Sequence, residues 1–335
     1  MREYEIGKNE AGQRFDKYLH KLMPQAGNSF LYKMLRKKNI ILNGKKAEGR
    51  ELLVLGDHVK LFLSEETFGK FQGVDEKHPR IHEFHGKEPE IIWESPDYLI
   101  CAKPAGLLTQ KATEEDESLN EWFIAYLLRS GQISEEELRT FHPSVCNRLD
   151  RNTSGIVLCG KTLSGSQKLT EIIRDGRVGK YYRTFVKGKL TNGSTIEGYL
   201  YKEERTNRVI VYSSRDEILQ GREISYIRTS YQPLAYGNGI TYMEIALHTG
   251  KTHQIRAHLA SIGHPIIGDS KYGDPGENRF WKQKYNISCQ LLHAYRVEFG
   301  MEEKAPQISG KSFVAREPAI FDRMKNEMKQ PMQRV

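Results

Sequence analysis

The stretch NRLDRNTSGIVLCGKT, Asn147 to Thr162, carries two patterns of reactive residues that exclude one another. Its second half, Gly155 to Thr162, spells GxxxxGK[ST], the spacing of a loop whose backbone N–H groups cradle phosphate. Its first half sets the carboxylate of Asp150 between Arg148 and Arg151, just ahead of a Thr-Ser-Gly turn. A phosphate loop needs an apolar strand before its first glycine and an open nest of N–H groups between the two glycines. Here the order is inverted, because Ile-Val-Leu-Cys fills the space between Gly155 and Gly160 and the preceding residues are polar. A chain that is extended and buried there cannot curl around phosphate, so no nucleotide cofactor is expected. HTGKTH, at 248–253, fails too, with Ile245 where the earlier glycine should stand. The carboxylate remains. An Asp flanked by Arg is most often a surface ion pair, but a donor-rich turn before a buried strand would hold Asp150 at the strand entrance. A nearby guanidinium favours the charged form of a carboxylate, and such a group can serve as nucleophile or base.

The elements that must position this group belong to a chain of 335 residues, long enough for two domains. With 38% hydrophobic and 28% charged residues it has the balance of a soluble globular protein. No apolar run reaches membrane-spanning length, and the charged start MREYEIGKNE has no signal-peptide core. No membrane association and a cytoplasmic location are therefore expected. Four cysteines lack the paired spacing of zinc or redox sites, and eleven histidines form no ligand motif, so neither metal nor cofactor is implied.

The net charge of +8 favours a polyanionic partner. Its distribution is uneven: residues 28–50 carry Lys33, Arg36, Lys37, Lys38, Lys45, Lys46 and Arg50 against Glu48 alone, while residues 112–137 are strongly acidic. Apolar spacing predicts a first helix through Phe15, Tyr18, Leu19 and Leu22. It predicts a second, capped by Asn28 or Ser29, that turns Leu31, Met34 and Leu35 inward and Lys33, Arg36 and Lys37 outward. An Asn43-Gly44 turn and an alternating strand at Val59, Leu61 and Leu63 complete a small unit. A charge run alone is often just a solvated face, but here helix and hairpin charges coincide.

Residues 64–88 read as a linker and 326–335 as a mobile tail. Between them, strands are expected around the Ser-Pro-Asp turn at 95–97 and in GIVLC, YYRTFVKG, RVIVYS, GITYMEIAL and LLHAYRVEF. A helix should begin at Ser118, with Glu121 closing a capping box. Irregular spacing without strand–helix alternation predicts an α+β domain with a mixed, mainly antiparallel sheet.

Residues 12–63 resemble the alpha-L RNA-binding motif: helix, basic helix, NG turn, then GD before the last strand. NRLDRNTSG resembles the HRLDxxTSG motif of the RluA family of pseudouridine synthases, GKYYRTFVKG its KxYxAxVxG segment, and LHTGKTHQIRAHLASIGHPIIGDSKYG its third block. LHAYRVEF fits the closing strand. Two departures are Asn147 for the usual His and Lys251 for the usual Arg, and Lys lacks the two-pronged phosphate contact of Arg.

The resemblance implies a pseudouridine synthase fold over 89–325 that isomerises uridine without a cofactor. It makes Asp150 the catalytic carboxylate, attacking the anomeric carbon or drawing a sugar proton, and pairs Arg256 with it. Tyr182, otherwise an ordinary strand aromatic, would stack on the target uracil, and Arg148 would fill the gap left by the everted base. Lys33, Arg36, Lys37 and Lys45 would grip RNA phosphates, while His253 and Lys103 would anchor turns. The front module favours large-subunit ribosomal RNA over transfer RNA, and a monomer is expected. A non-catalytic RNA-binding or ribosome-assembly protein would have no need of Asp150, Tyr182 and Arg256 together. A base-releasing glycosylase would yield free uracil, and a nucleotide hydrolase would need ATP.

Overall fold

Burial of two amphipathic helices on a small sheet organises the N-terminal part of the computed structural model, which describes residues 1–72, 84–203, 205–206, 208–215 and 223–330. Strand β1 (Arg2–Glu5) precedes helices α1 (Phe15–Leu22) and α2 (Asn28–Arg36), then β2 (Ile40–Leu42), β3 (Lys45–Lys46), β4 (His58–Leu61) and helix α3 (Glu65–Gln72). The sheet order is β1-β4-β2-β3, all pairs antiparallel. Asn43 and Gly44, with φ of 51° and 72°, make the tight β2–β3 turn that two left-handed residues allow. Phe15, Tyr18, Leu19, Leu22, Leu31, Met34 and Leu35 are buried in one core, as their spacing predicts. The second helix starts a residue early, with Gly27 at its N-cap and no side-chain cap.

Part of the expected linker is α3, whose Phe68 is buried and whose Phe71 ring lies 4.2 Å from Phe30. Two aromatics four residues or fewer apart on a helical face supply the apolar contact that mixed composition concealed; residues 73–83 lie outside the described ones. Strand β1 precedes the expected module yet pairs with β4, so the unit begins earlier than its motif.

The larger part contains β5 (Glu90–Glu94), β6 (Tyr98–Lys103), α4 (Leu119–Arg129), α5 (Glu135–Leu138), β7 (Ser144–Val145), β8 (Ser154–Gly160), α6 (Leu163–Arg174), β9 (Val178–Lys187) and β10 (Ser194–Glu203). It continues through β11 (Arg208–Tyr212), β12 (Ile224–Gly237), β13 (Ile240–Leu247), α7 (Gln254–Ser261), α8 (Pro275–Tyr285), β14 (Leu292–Phe299), β15 (Ser312–Val314) and α9 (Ala319–Met328). Among the described residues these form one 11-stranded sheet, ordered β11-β10-β12-β13-β9-β14-β8-β6-β5, with β15 beside β14 and β7 beside β8. The β14–β8 pair is parallel and the others are antiparallel, the mixed sheet that the irregular spacing implied.

Several local expectations need correction. Ser118 stands at the N-cap of α4, but its hydroxyl donates to the Glu121 carboxylate and accepts no backbone N–H, so that capping box is not closed. A closed box occurs instead at Ser134 and Glu137 on α5. The tail expected from 326 begins inside α9, where buried Glu327 accepts from Lys284 Nζ at 2.5 Å and from the Tyr285 hydroxyl at 2.6 Å. A charged residue with two such partners docks a helix end that sequence pattern leaves open; residues 331–335 lie outside the described ones.

The start of β8 is fixed by backbone contact. Gly155 has φ of +110°, and a Cβ there would fall 2.1 Å from the carbonyl oxygen of Ala294 on β14. Both the left-handed region and the close approach demand glycine. Gly155→Ala should therefore destabilise the protein by about 2–5 kcal/mol, combining overpacking with backbone strain, as measured by the shift of its denaturant midpoint.

Candidate active site

Asp150 follows Leu149 on a loop clamped from both sides. Thr109 Oγ1 donates to the Leu149 carbonyl at 2.8 Å and accepts the Leu149 N–H at 3.1 Å. On the other flank, buried Lys103 donates from Nζ to the carbonyls of Pro104 at 3.1 Å, Leu107 at 2.7 Å and Arg151 at 2.9 Å. An ammonium has three N–H donors, and here each has a carbonyl. Burial pulls the Lys103 pKa down to about 7, with Asp150 acting against that fall. The turn closes through Thr153 N–H to the Asp150 carbonyl at 3.0 Å.

Neither Arg beside Asp150 in sequence is its partner. Arg151 Nε donates to the Gly106 carbonyl at 3.1 Å, and Arg148 is exposed. The partner is Arg256 on α7, whose Nη1 donates to Asp150 Oδ2 at 2.9 Å. Arg256 is itself fixed by a two-pronged contact with Asp269, Nε to Oδ2 at 2.7 Å and Nη2 to Oδ1 at 2.9 Å. Asp269 is fully buried and also accepts the N–H groups of Lys271 and Tyr272. Burial alone would raise the Asp269 pKa; the Arg256 guanidinium and the two N–H donors outweigh it and hold the carboxyl below its ordinary value. The two carboxylates in turn hold the Arg256 pKa above its ordinary value, against the effect of burial. The side chain of Asp150 keeps a quarter of its surface open, and its Oδ1 has no partner among the described residues.

Asp150 and Arg256 line a cleft of about 320 Å³ together with Arg148, Lys180, Tyr182, Lys251 and His253. Tyr182 lies on β9 between Ile245 of β13 and Ala294 of β14, and burial raises its pKa. The cleft thus brings together Arg148, Asp150, Tyr182 and Arg256 from three segments that together span more than a hundred residues of sequence. Lys33, Arg36, Lys37 and Lys45 are all exposed on the N-terminal unit and do not line the cleft. Asn147, at the position that departs from the motif, accepts the Leu158 N–H at 2.7 Å and so braces β8. Lys251 is exposed beside the cleft.

Sequence reasoning missed Asp269, Lys180 and Tyr272. Asp269 and Tyr272 sit in the quoted GDSKYG segment, whose acid and aromatic were the available signal. Lys180 points from β9 with Tyr182, two residues apart on one strand face. It has no hydrogen bond or ion pair to another described residue, and burial lowers its pKa. The nucleotide-loop lysine, Lys161, is consumed elsewhere: its Nζ donates to Glu94 at 2.6 Å and to the Ser95 carbonyl at 2.8 Å.

Chemically, the cleft presents one aimed carboxylate oxygen beside an aromatic floor, with basic groups at the rim. Residues 97–261 match the family model described as RNA pseudouridylate synthase. A ribosomal large subunit pseudouridine synthase D of Buchnera aphidicola subsp. Schizaphis graminum is 29% identical over 297 residues, covering 86% of each chain. A ribosomal large subunit pseudouridine synthase C of Pasteurella multocida is 28% identical over 302 residues, covering 88% of this chain and 84% of that one. The solved human structure "RNA Pseudouridylate Synthase Domain Containing 4" is similar in fold, with a TM-score of 0.55 at 18% identity, over 72% of this chain and 94% of that chain.

Asp269→Asn should cost about 3–5 kcal/mol by stranding Arg256 in a buried setting. Because the folded pKa of Asp269 lies below its unfolded value, its contribution is fully present above about pH 4 and is lost as pH falls through the folded value. Acid titration of unfolding free energy should accordingly be shallower below pH 4 in Asp269→Asn than in the unaltered protein.

Proposed function

We propose that this protein, whose residues 97–261 match the RNA pseudouridylate synthase family model, isomerises specific uridines of large-subunit ribosomal RNA to pseudouridine. The observation that carries the reading is Asp150 Oδ2 held by Arg256 Nη1 at 2.9 Å in a cleft floored by Tyr182. The named activity of the relatives supports the choice of ribosomal RNA.

The reaction breaks the bond from ribose to the base nitrogen, turns the base, joins ribose to base carbon five, and balances by loss of the carbon-five proton and gain of a proton on the freed nitrogen. It transfers no electrons to or from an outside acceptor. Asp150 Oδ1 is the oxygen that attacks the anomeric carbon or takes a sugar proton; either route needs it fixed and unencumbered, as Arg256 leaves it. Tyr182 supports the uracil face while the base is free to turn. A base inside a helix is out of reach, so the nucleotide must be everted, and the exposed guanidinium of Arg148 at the cleft rim can stack in the gap. Lys180, half-buried and without a partner among the described residues, suits a phosphate of the everted strand. Lys33, Arg36, Lys37 and Lys45 present point charges to RNA phosphates further away. The chain works as a monomer in this reading, since one copy supplies every group named. Among the described residues no helix is long and apolar enough to cross a membrane.

Asp150→Asn should lower kcat by at least about 1000-fold while RNA affinity stays nearly unchanged, measured by mapping pseudouridine in ribosomal RNA alongside filter binding. Appearance of free uracil would instead mark a glycosylase. Replacing Lys33, Arg36, Lys37 and Lys45 together with Gln should reduce the slope of log affinity against log salt by about 3, at roughly 0.7–0.9 of a unit for each of the four lost phosphate contacts. An unaltered slope would remove the N-terminal unit from the RNA interface.

A further inference from the structure

His253 occupies the left-handed region, with φ of 55°, at the N-cap of α7. Non-glycine residues persist there where their surroundings over-determine them. Its Nδ1 lies 3.0 Å from the Tyr272 hydroxyl, and that hydroxyl accepts the Val209 backbone N–H at 2.9 Å. A phenol has one proton to donate. With Val209 necessarily a donor, the Tyr272 proton finds its acceptor in Nδ1. The reverse orientation, with Nδ1–H directed at the phenol, would leave the Tyr272 proton without an acceptor among the described residues. A neutral imidazole that accepts at Nδ1 carries its own proton on Nε2. That Nε2 faces Asp150 Oδ2 at 3.9 Å, the same oxygen that Arg256 contacts.

We propose that His253 is a positioning residue: its Nε2–H, oriented from the Val209 backbone through Tyr272, closes onto Asp150 Oδ2 when RNA fills the cleft. Two N–H donors then occupy Oδ2, and Oδ1 is left as the oxygen that reacts. Hydrogen bonds in catalytic sites are often long before substrate binds and tighten in the complex. Closing this one takes a movement of about 1 Å. Burial lowers the His253 pKa, with Asp150 opposing that shift, which keeps the ring neutral at physiological pH. A ring that merely plugged its turn would be indifferent to which nitrogen holds the proton. The inference rests on the reading of Asp150 as the reacting carboxylate.

Nitrogen-15 NMR of histidine-labelled protein reads the tautomer without reference to activity, the His253 signals being assigned by their loss in His253→Leu. At neutral pH the proton should sit on Nε2, and Tyr272→Phe should convert the ring to a mixture of tautomers. A proton on Nδ1, or a spectrum indifferent to Tyr272→Phe, overturns the proposal. In kinetics, His253→Leu should lower kcat about 10- to 100-fold with RNA affinity unchanged. His253→Gln, whose amide N–H can reach the same oxygen, should recover much of that loss. Equal losses in the two folded variants, or a loss confined to KM, overturn the proposal and leave the role of Asp150 standing. That role falls only with an active Asp150→Asn.

Discussion

One guanidinium shared between two carboxylates governs the site. Asp269 is fully buried, and a charge there is tolerable only with matched donors. Arg256 supplies two N–H groups and the backbone of Lys271 and Tyr272 two more. Once its fork is committed to Asp269, the remaining Nη1 points in a fixed direction, and Asp150 meets it at 2.9 Å. The position of the more exposed carboxylate is thus a consequence of the position of the deeper one. Arg rather than Lys is required at 256, because a point charge could hold one carboxylate but could not transmit direction from it to another.

A directed partner would be wasted on a loose loop, and the residues on either side of Asp150 are held independently of it. Thr109 both donates to and accepts from Leu149, and Lys103 binds the Arg151 carbonyl. Lys103 also ties the turn at 104–107 to this loop, so two irregular segments behave as one body. Gly155 completes the arrangement by letting β8 lie against β14 with no side chain between them. The parallel β14–β8 pairing then places the loop at the edge of the same sheet that carries Tyr182 on β9. Rigidity comes here from the Lys103 ammonium and the Thr109 hydroxyl gripping backbone groups and from a missing Cβ.

Much of this was legible in the sequence because it depends on local pattern. The apolar spacing of α1 and α2, the Asn43-Gly44 turn and the unbroken Ile156 to Cys159 run each specify structure within a few residues. The strands β10 and β12 were not legible. Ile196, Gly198 and Leu200 alternate with polar residues only weakly, and β12 contains Pro233, where its ladder with β13 shifts. Such a proline is tolerated at an irregularity and hides the strand from a pattern search. The partner of Asp150 was likewise invisible to spacing, since the nearest guanidiniums in sequence, Arg148 and Arg151, turn elsewhere; only the resemblance pointed to Arg256. Asp269 escaped notice because burial, unlike charge, cannot be read from one residue.

The charge layout divides the work between two ranges. Exposed cations on α2 and the β2–β3 hairpin act over a Debye length, about 8 Å at physiological salt, and on the proposed reading bear on encounter with RNA and grip. The contact between the N-terminal unit and the larger part leaves them free, since it uses Lys21 donating to the Thr140 carbonyl, Thr140 donating to Glu10, and Asn9 donating to Glu137. Within the cleft the range is shorter and the dielectric lower, so a single ammonium at Lys180, unpartnered among the described residues, counts for more than several lysines on the surface. On the proposed reading, an RNA strand drawn in by the first set would meet at its everted nucleotide a carboxylate that Arg256 holds by one oxygen only, because Arg256 is already divided between two acids. The same division that fixes Asp150 in space therefore also leaves its Oδ1 open among the described residues.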